Sequence, residues 1–404
     1  MRDARLNKLA DVLVNYSVNV KPGMLVRIKG DPVGMPLLEA IYEAVIQAGG
    51  HPVMRISPAS CDDILMQDGS DDQLQYVSPL DVAEVEHIDA SIGLWADVNT
   101  KSGTRLDPKR GAMRSAAQKP VFEVFMKRAA AAEDPAQHPG VKPLYWVGTL
   151  YPTQASAMDA ERSLREYEDF VFKAGHLDKD DPAAQWRTIR EQQQKVVDYL
   201  TGKKLIHFQT NAGTDLKVNI DNMTWINCAG ECNFPDGEVF TGPNLDHADG
   251  GVNGVVKYSF PAVHNGREVH DITFTFEKGK VVDATASKNQ DFLHAMLDMD
   301  PGARFAGEIA VGTNYAITEY TKNTLFDEKI GGTFHLAVGA GYPETGNANE
   351  SGLHWDMVCD MRPRPRKLAN GETEIDPASG GTITVDGEVI QRDGVFVFDG
   401  WPGN

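Results

Sequence analysis

Positive charge is what this chain has least of. Its 39 lysines and arginines stand against 58 acids, which gives a formal charge of −19 and a pI near 5.0. Polyanions are held chiefly by basic surfaces, so this deficit argues against nucleic acid or an anionic membrane as a partner. Cysteine is scarce as well: Cys61, Cys228, Cys232 and Cys359 are the only four in 404 residues. Scattered over that length they make no disulfide framework, and a reducing compartment, the cytoplasm, fits them. Cys228 and Cys232 share the phrase NCAGECN, which lacks the close CxxC knuckle and the second pair of a thiolate zinc site. Small buried residues are the plainer account of both. Long uncharged apolar runs are missing too, and none nears the roughly eighteen residues of a membrane span. The opening stretch, MRDARLNKLADVLVNYS, threads charges among Leu6, Leu9, Leu13 and Val14 at helical spacing, an amphipathic helix rather than a secretion signal.

What is present is ordinary globular material: 41% hydrophobic and 24% charged, over a length that suits two domains. Residues 24–29 read as a strand, 37–48 as a helix stopped by Gly49 and Gly50, and 53–56 as a second strand, a β-α-β unit. The GDPVG turn between the first strand and the helix has neither GxGxxG nor GxxxxGK spacing, so it makes a weak phosphate loop. Further strands near 91–95 and 143–148 bracket a helix between 108 and 132, and helical spacing returns over 154–174 and 182–200. Alternating strands and helices predict an α/β N-terminal domain over residues 1–200, its last helices bridging onward. Beyond Gly202 short strands over 205–209, 215–220, 238–241, 252–260, 271–277 and 280–284 are separated by Gly, Asn and Asp, with KGK and DGE as hairpin turns and one helix over 287–298. Residues 201–404 are therefore expected to form an α+β, largely antiparallel C-terminal domain. No internal repeat or low-complexity tract interrupts either half.

The chemistry concentrates between Thr324 and Asp360. In TFHLAVG, strand alternation puts Thr333, His335 and Ala337 on one face and Phe334, Leu336 and Val338 on the other. In HWD, the same rule puts His354 and Asp356 together with Trp355 opposite, a two-toothed clamp for a metal ion. A single strand histidine is usually a satisfied core residue; two on successive strands beside a carboxylate point further. Two other acids sit in unusual company. Glu238 follows the turn Pro235-Asp236-Gly237, and Glu308 lies in AGEIAVGTN among Ile309, Ala310 and Val311. A carboxylate in such surroundings needs a cation or donors, and either glutamate could cap a turn or pair with an arginine such as Arg304.

With those residues in view the chain resembles the thermophilic aminopeptidases, the aminopeptidase T and aminopeptidase S group of dinuclear metallo-exopeptidases. The phrases that carry the resemblance span most of the sequence: PLLEAIYEAVIQAGGHP, YPTQASAMDAERSLREYEDF, DPAAQW, GTDLKV, NFPDGEVFTGP, GEIAVGTN, and DEKIGGTFHLAVGAGYPETG through SGLHWD. The resemblance implies metal ligation by Glu238, Glu308, His335, His354 and Asp356, with Glu308 and Tyr342 in catalysis. Three carboxylates with two neutral imidazoles suit two divalent ions and a hydroxide, and a donor set without thiolate suits Zn, Co, Mn or Mg. Hydrolysis of the first peptide bond by a metal-activated water, peptide substrates and a homodimer are what the likeness further implies. Asp327, Glu328 and Glu344 are equal candidates to hold the substrate ammonium.

Two rival readings remain open on residues alone. Relatives of similar fold are mononuclear iron dioxygenases that open hydroxylated pyridine rings, and His335, His354 and Asp356 would serve as a two-His, one-carboxylate set. The presence of both Glu238 and Glu308 counts against a single iron. A non-enzymatic, metal-stabilised peptide-binding protein is the other, since fold does not dictate function.

Overall fold

Strand Ala90–Trp95 is the middle member of a parallel sheet whose order is His51–Ile56, Leu25–Gly30, Ala90–Trp95, Tyr145–Leu150 and Asn233–Phe234. The computed structural model describes residues 3–368 and 372–402. The chain falls into two compact units, the first running to Gln185 and taking back Gly230–Pro235, the second comprising Trp186–Ala229 and Asp236 onward. The division passes through the helix Pro182–Leu200.

In the first unit the expected strands and helices stand within a few residues of their places. The helical run expected over 154–174 is two helices, Gln154–Asp159 and Leu164–Ala174. Ser163 divides them, because its hydroxyl accepts from the Glu166 N–H while the Glu166 carboxylate accepts from the Ser163 N–H, a reciprocal cap that starts a new helix. Three helices between the second and third strands, Ala59–Asp68, Asp71–Gln75 and Pro79–His87, have no counterpart in the sequence reading. They bury Leu74 and Val85 and little else, so they carry almost no apolar stripe from which a helical period can be read.

The second unit is built on two antiparallel sheets. The larger has the order Lys280–Thr285, Thr273–Glu277, Val252–Lys257, Asp215–Asn219, Leu205–Thr210, Gly381–Val385, Glu388–Arg392, Val395–Phe396. Its hairpin turns at Lys278-Gly279 and Asp386-Gly387 hold positive φ at both central residues, the geometry that matches strand twist. The smaller sheet has the order His354–Asp360, Thr333–Gly339, Ala306–Gly312, Glu238–Thr241, Ile226–Cys228. One face of it, with Val239, Ile309, Val311, Phe334, Leu336, Val338, Trp355 and Met357, enters the hydrophobic core of this unit. Phe208 from the larger sheet stacks on Phe334 with ring centroids 4.2 Å apart. The other face carries the polar groups considered next.

Candidate metal centre

Register puts five donors on one face of the smaller sheet. Asp356 pairs with Ala337, which pairs with Glu308; His335 pairs with Ala310; His354 pairs with Gly339; Glu238 pairs with Gly312. Directly opposed residues point the same way, and so do residues two apart along a strand, so Glu238, Glu308, His335, His354 and Asp356 all project from the face opposite the core. Ala310, Gly312 and Ala337 between them are small, which leaves the long side chains room to converge. The alternation expected for Thr333 to Val338 holds, with one difference: His335 is itself fully buried, because this second face is covered as well.

The distances bear out the convergence. His335 Nε2 lies 3.0 Å from Glu308 Oε1, 3.6 Å from Glu238 Oε2 and 3.9 Å from Asp356 Oδ1, and His354 Nε2 lies 3.4 Å from Asp356 Oδ1 and 3.5 Å from Glu308 Oε2. Donor atoms of Glu238, Glu308 and His335, and again of Glu308, His354 and Asp356, come within 4.8 Å of one another, so the Glu308 carboxylate is common to two groups. Both imidazoles have their Nδ1 engaged by a main-chain carbonyl, His335 with Glu328 at 3.2 Å and His354 with Ala340 at 2.9 Å. Donation there turns each Nε2 toward the carboxylates, the arrangement that orients a histidine for a metal. Arg304, considered as a partner for either glutamate, instead donates to Asp298 at 2.7 Å and to the Val281 carbonyl.

Electrostatics show the strain of this crowding. Burial opposes a charge on His335 and His354, yet the surrounding acids overcome it and lift them to about 9 and about 10. Burial, abetted by Glu328 and Glu308, outweighs Lys329 and pushes Glu238 up to about 8. Asp356 goes the other way: burial opposes its ionisation, but His354 and then His335 hold it well below the carboxylate range. Glu238 Oε2 and Asp356 Oδ1 are buried without a hydrogen bond. A buried carboxylate oxygen with no donor is costly, and a divalent cation is the group that would satisfy it. The residues therefore fit a metal ion.

Tyr342 is half-buried with its ring centroid 5.2 Å from that of His354 and 5.4 Å from Phe240, and burial together with Glu308 and Asp356 pushes its phenol far above the ordinary value. Of the three acids considered for a substrate ammonium, Asp327 is buried and accepts from the N–H and hydroxyl of Thr321, and Glu344 is exposed. Glu328 alone joins the cluster, with a donor atom within 4.8 Å of His335 and Asp356.

Four side chains beside the centre, Lys329, Asp236, Cys228 and Gln193, were not singled out as part of it in the sequence. Lys329 is fully buried, bonded to Glu238 Oε1, 2.8 Å from Glu328 Oε1 and 3.6 Å from Asp236 Oδ1. Asp236 and the half-buried Cys228 form another donor group with Glu238. Gln193 donates to the carbonyls of Cys228 and Glu238 and accepts from Thr313, pinning the strands that carry them. A lysine next to a glycine pair reads as a surface residue, and nothing local to EKIGG says otherwise.

The thermophilic metalloprotease (M29) family matches residues 2–375. Aminopeptidase 2 of Geobacillus stearothermophilus is 28% identical, over 98% of both chains. Aminopeptidase T of Thermus thermophilus is 31% identical over 54% of this chain and 53% of its own. Among solved structures, wild-type AmpT from Thermus thermophilus superposes with a TM-score of 0.77 at 22% identity, covering 98% of this chain and 99% of that one. A 2,5-dihydroxypyridine dioxygenase from Pseudomonas putida KT2440 shares the fold more distantly, with a TM-score of 0.54 at 12% identity over 98% and 97%. With the family pattern matched along nearly its whole length, this chain belongs to the M29 family of thermophilic metalloproteases.

Proposed function

We propose that this protein is a metal-dependent aminopeptidase that removes the first residue of peptides, with two divalent ions held by Glu238, Glu308, His335, His354 and Asp356. One observation carries the reading: the charge gathered on a single covered sheet face. Asp236, Glu238, Glu308, Glu328 and Asp356 bring five carboxylates to it, and among the described residues Lys329 alone of the lysines and arginines is seen to pair with them, leaving four negative charges when the imidazoles are neutral. Two divalent ions match that number; a single Fe(II) leaves half of it unmatched. Bound there, the ions would lower the pKa of a water and polarise the scissile carbonyl.

The side chains supply the rest. Glu308, with one oxygen toward each imidazole, spans the two donor groups and is placed to take a proton from an attacking water. Tyr342 is kept protonated by its surroundings and can donate to the oxygen on which charge develops. Glu328, beside the centre and braced by Lys329, is the acid we assign to the free ammonium of the substrate, which makes a blocked amino terminus a poor substrate.

A panel of aminoacyl fluorogenic substrates, offered to metal-stripped protein and to protein restored with Zn, Co, Mn or Mg, tests the reading. Hydrolysis is expected only after restoration, and is expected to vanish in Glu308→Gln and His354→Ala while circular dichroism stays unchanged. Oxygen uptake with a hydroxylated pyridine and no release of amino acids would overturn it in favour of the dioxygenase.

A further inference from the structure

Lysine is rarely buried, and a buried lysine among metal donors is in competition with the metal. We propose that Lys329 is a positioning residue of the centre, an internal cation that holds Glu238 by one oxygen, commits the other to the divalent ion, and closes the group Cys228, Asp236 and Glu238 to metal. This rests on the reading of the site given above and extends it to a residue outside the donor set.

The geometry is specific. The Lys329 side chain is 1% exposed, with its ammonium bonded to Glu238 Oε1 and 3.6 Å from Asp236 Oδ1. Glu238 Oε2 makes no hydrogen bond and lies 3.6 Å from His335 Nε2. One carboxylate thus serves two cations through different oxygens, and occupation of Oε1 prevents it from clasping a metal with both.

The main chain fixes this division. Asn314 donates its backbone N–H to the Lys329 carbonyl at 3.0 Å and its side-chain amide to the Asp236 carbonyl at 2.8 Å, so the lysine and the turn that delivers Glu238 hang from one residue. Gly237, at φ +121°, lets that turn lie against Asn314, where an added Cβ would stand 2.7 Å from the Asn314 Cβ. Gln193 holds the Glu238 carbonyl at 3.0 Å, at the start of the same strand.

The donor atoms of Cys228, Asp236 and Glu238 lie within 4.8 Å of one another, a distance set that would accept a cation of its own. The ammonium, in contact with Glu238 and near Asp236, takes that place. A divalent ion beside it would meet a like charge in a poorly screened interior. Without the ammonium, the sulfur of Cys228 and the two carboxylates would be open to a thiophilic ion.

Cobalt titration of the metal-stripped chain, followed by calorimetry and by absorption, tests this. Wild type is expected to bind two cobalt ions with no thiolate-to-cobalt band; a wild type that binds none defeats the metal-centre reading itself, before any variant is compared. Lys329→Met is expected to bind a third ion with a near-ultraviolet thiolate band, and to lose both when Cys228→Ser is added. Its kcat at saturating metal should fall about tenfold or more, with KM changed by less than about threefold. Two ions, no band and wild-type kcat in Lys329→Met would overturn the proposal. Should that variant fail to fold, Cys228→Ser in the wild-type background decides: an unchanged stoichiometry and cobalt spectrum support a closed group, and loss of an ion or a shifted spectrum overturns it.

Discussion

Burial together with Glu308 and Asp356 pushes the Tyr342 phenol up, which favours the protonated form that a donor needs. Tyr342→Phe keeps the ring contacts with Phe240 and His354 and removes only the hydroxyl. We expect kcat to fall about 100-fold with KM nearly constant, as when one oxyanion donor is lost; steady-state kinetics with an unchanged kcat would remove Tyr342 from the chemistry. Glu328→Gln divides the other way, raising KM for substrates with a free amino terminus about tenfold with a smaller effect on kcat, and leaving bound metal at the wild-type level by elemental analysis. At this scale the face shared by His354 and Asp356, and the one taken by His335, were legible because strand alternation is local, as TFHLAVG and HWD show; Glu238 and Glu308 came as ligands from the family resemblance alone. Lys329 was not legible, since its burial depends on Asp236 and Glu238, about ninety positions away, and neither announces the partnership.

Among the elements, the strand Ala306–Gly312 does the most demanding work. It pairs on both sides, and a register shift between Ala306 and Glu308 sets the phase in which Glu308 faces the imidazoles. Gly307 sits in that irregularity, where an added Cβ would come within 2.2 Å of the Ala340 carbonyl oxygen, the group that also engages His354 Nδ1. Gly307→Ala should destabilise the protein by about 1–3 kcal/mol, measured by urea unfolding, and should disturb His354 and Glu308 together, so metal affinity falls with stability. Spectra and affinity unaffected by the substitution would show that the irregularity is incidental. The sequence reading found this strand's charge but not its bulge, since a bulge adds a residue without changing composition. It likewise placed the helices with an apolar stripe and missed Ala59–Asp68 and its two successors, whose faces bury almost nothing.

For the molecule as a whole, the charge of −19 is not spread evenly in its consequences. On the proposed ligand set the acids that converge on the sheet face are offset only in part by Lys329 and the imidazoles, so chelation should lower the melting temperature by at least about 5 °C, and restoration of the ions should recover it. Calorimetry with and without a chelator measures this, and an unchanged transition would mean that the ions add nothing to the fold. A second charge effect lies away from the centre. Burial works against ionised Glu268, but His270 at 3.1 Å, Lys322 at 3.5 Å and Lys288 at 3.4 Å hold it down to about 2. Its folded value lies below the unfolded one, so its contribution is whole above about pH 4.3 and disappears as pH falls toward 2. Glu268→Gln should therefore cost about 1 kcal/mol at pH 6, allowing for solvent screening, and nothing near pH 2; equal losses at both values in urea titrations would contradict the assignment.

The order of the donors along the chain has a temporal meaning. Glu238 leaves the ribosome first and Asp356 last, on the outermost strand of its sheet, and the strand that carries Glu308 and the one that carries His335 lie between them in space as in sequence. On the proposed ligand set, a nascent chain shorter than about 360 residues lacks part of the coordination sphere. On that reading loading would be a finishing event, and a chain cut before its histidine-tryptophan-aspartate triplet would emerge without two of the five proposed donors.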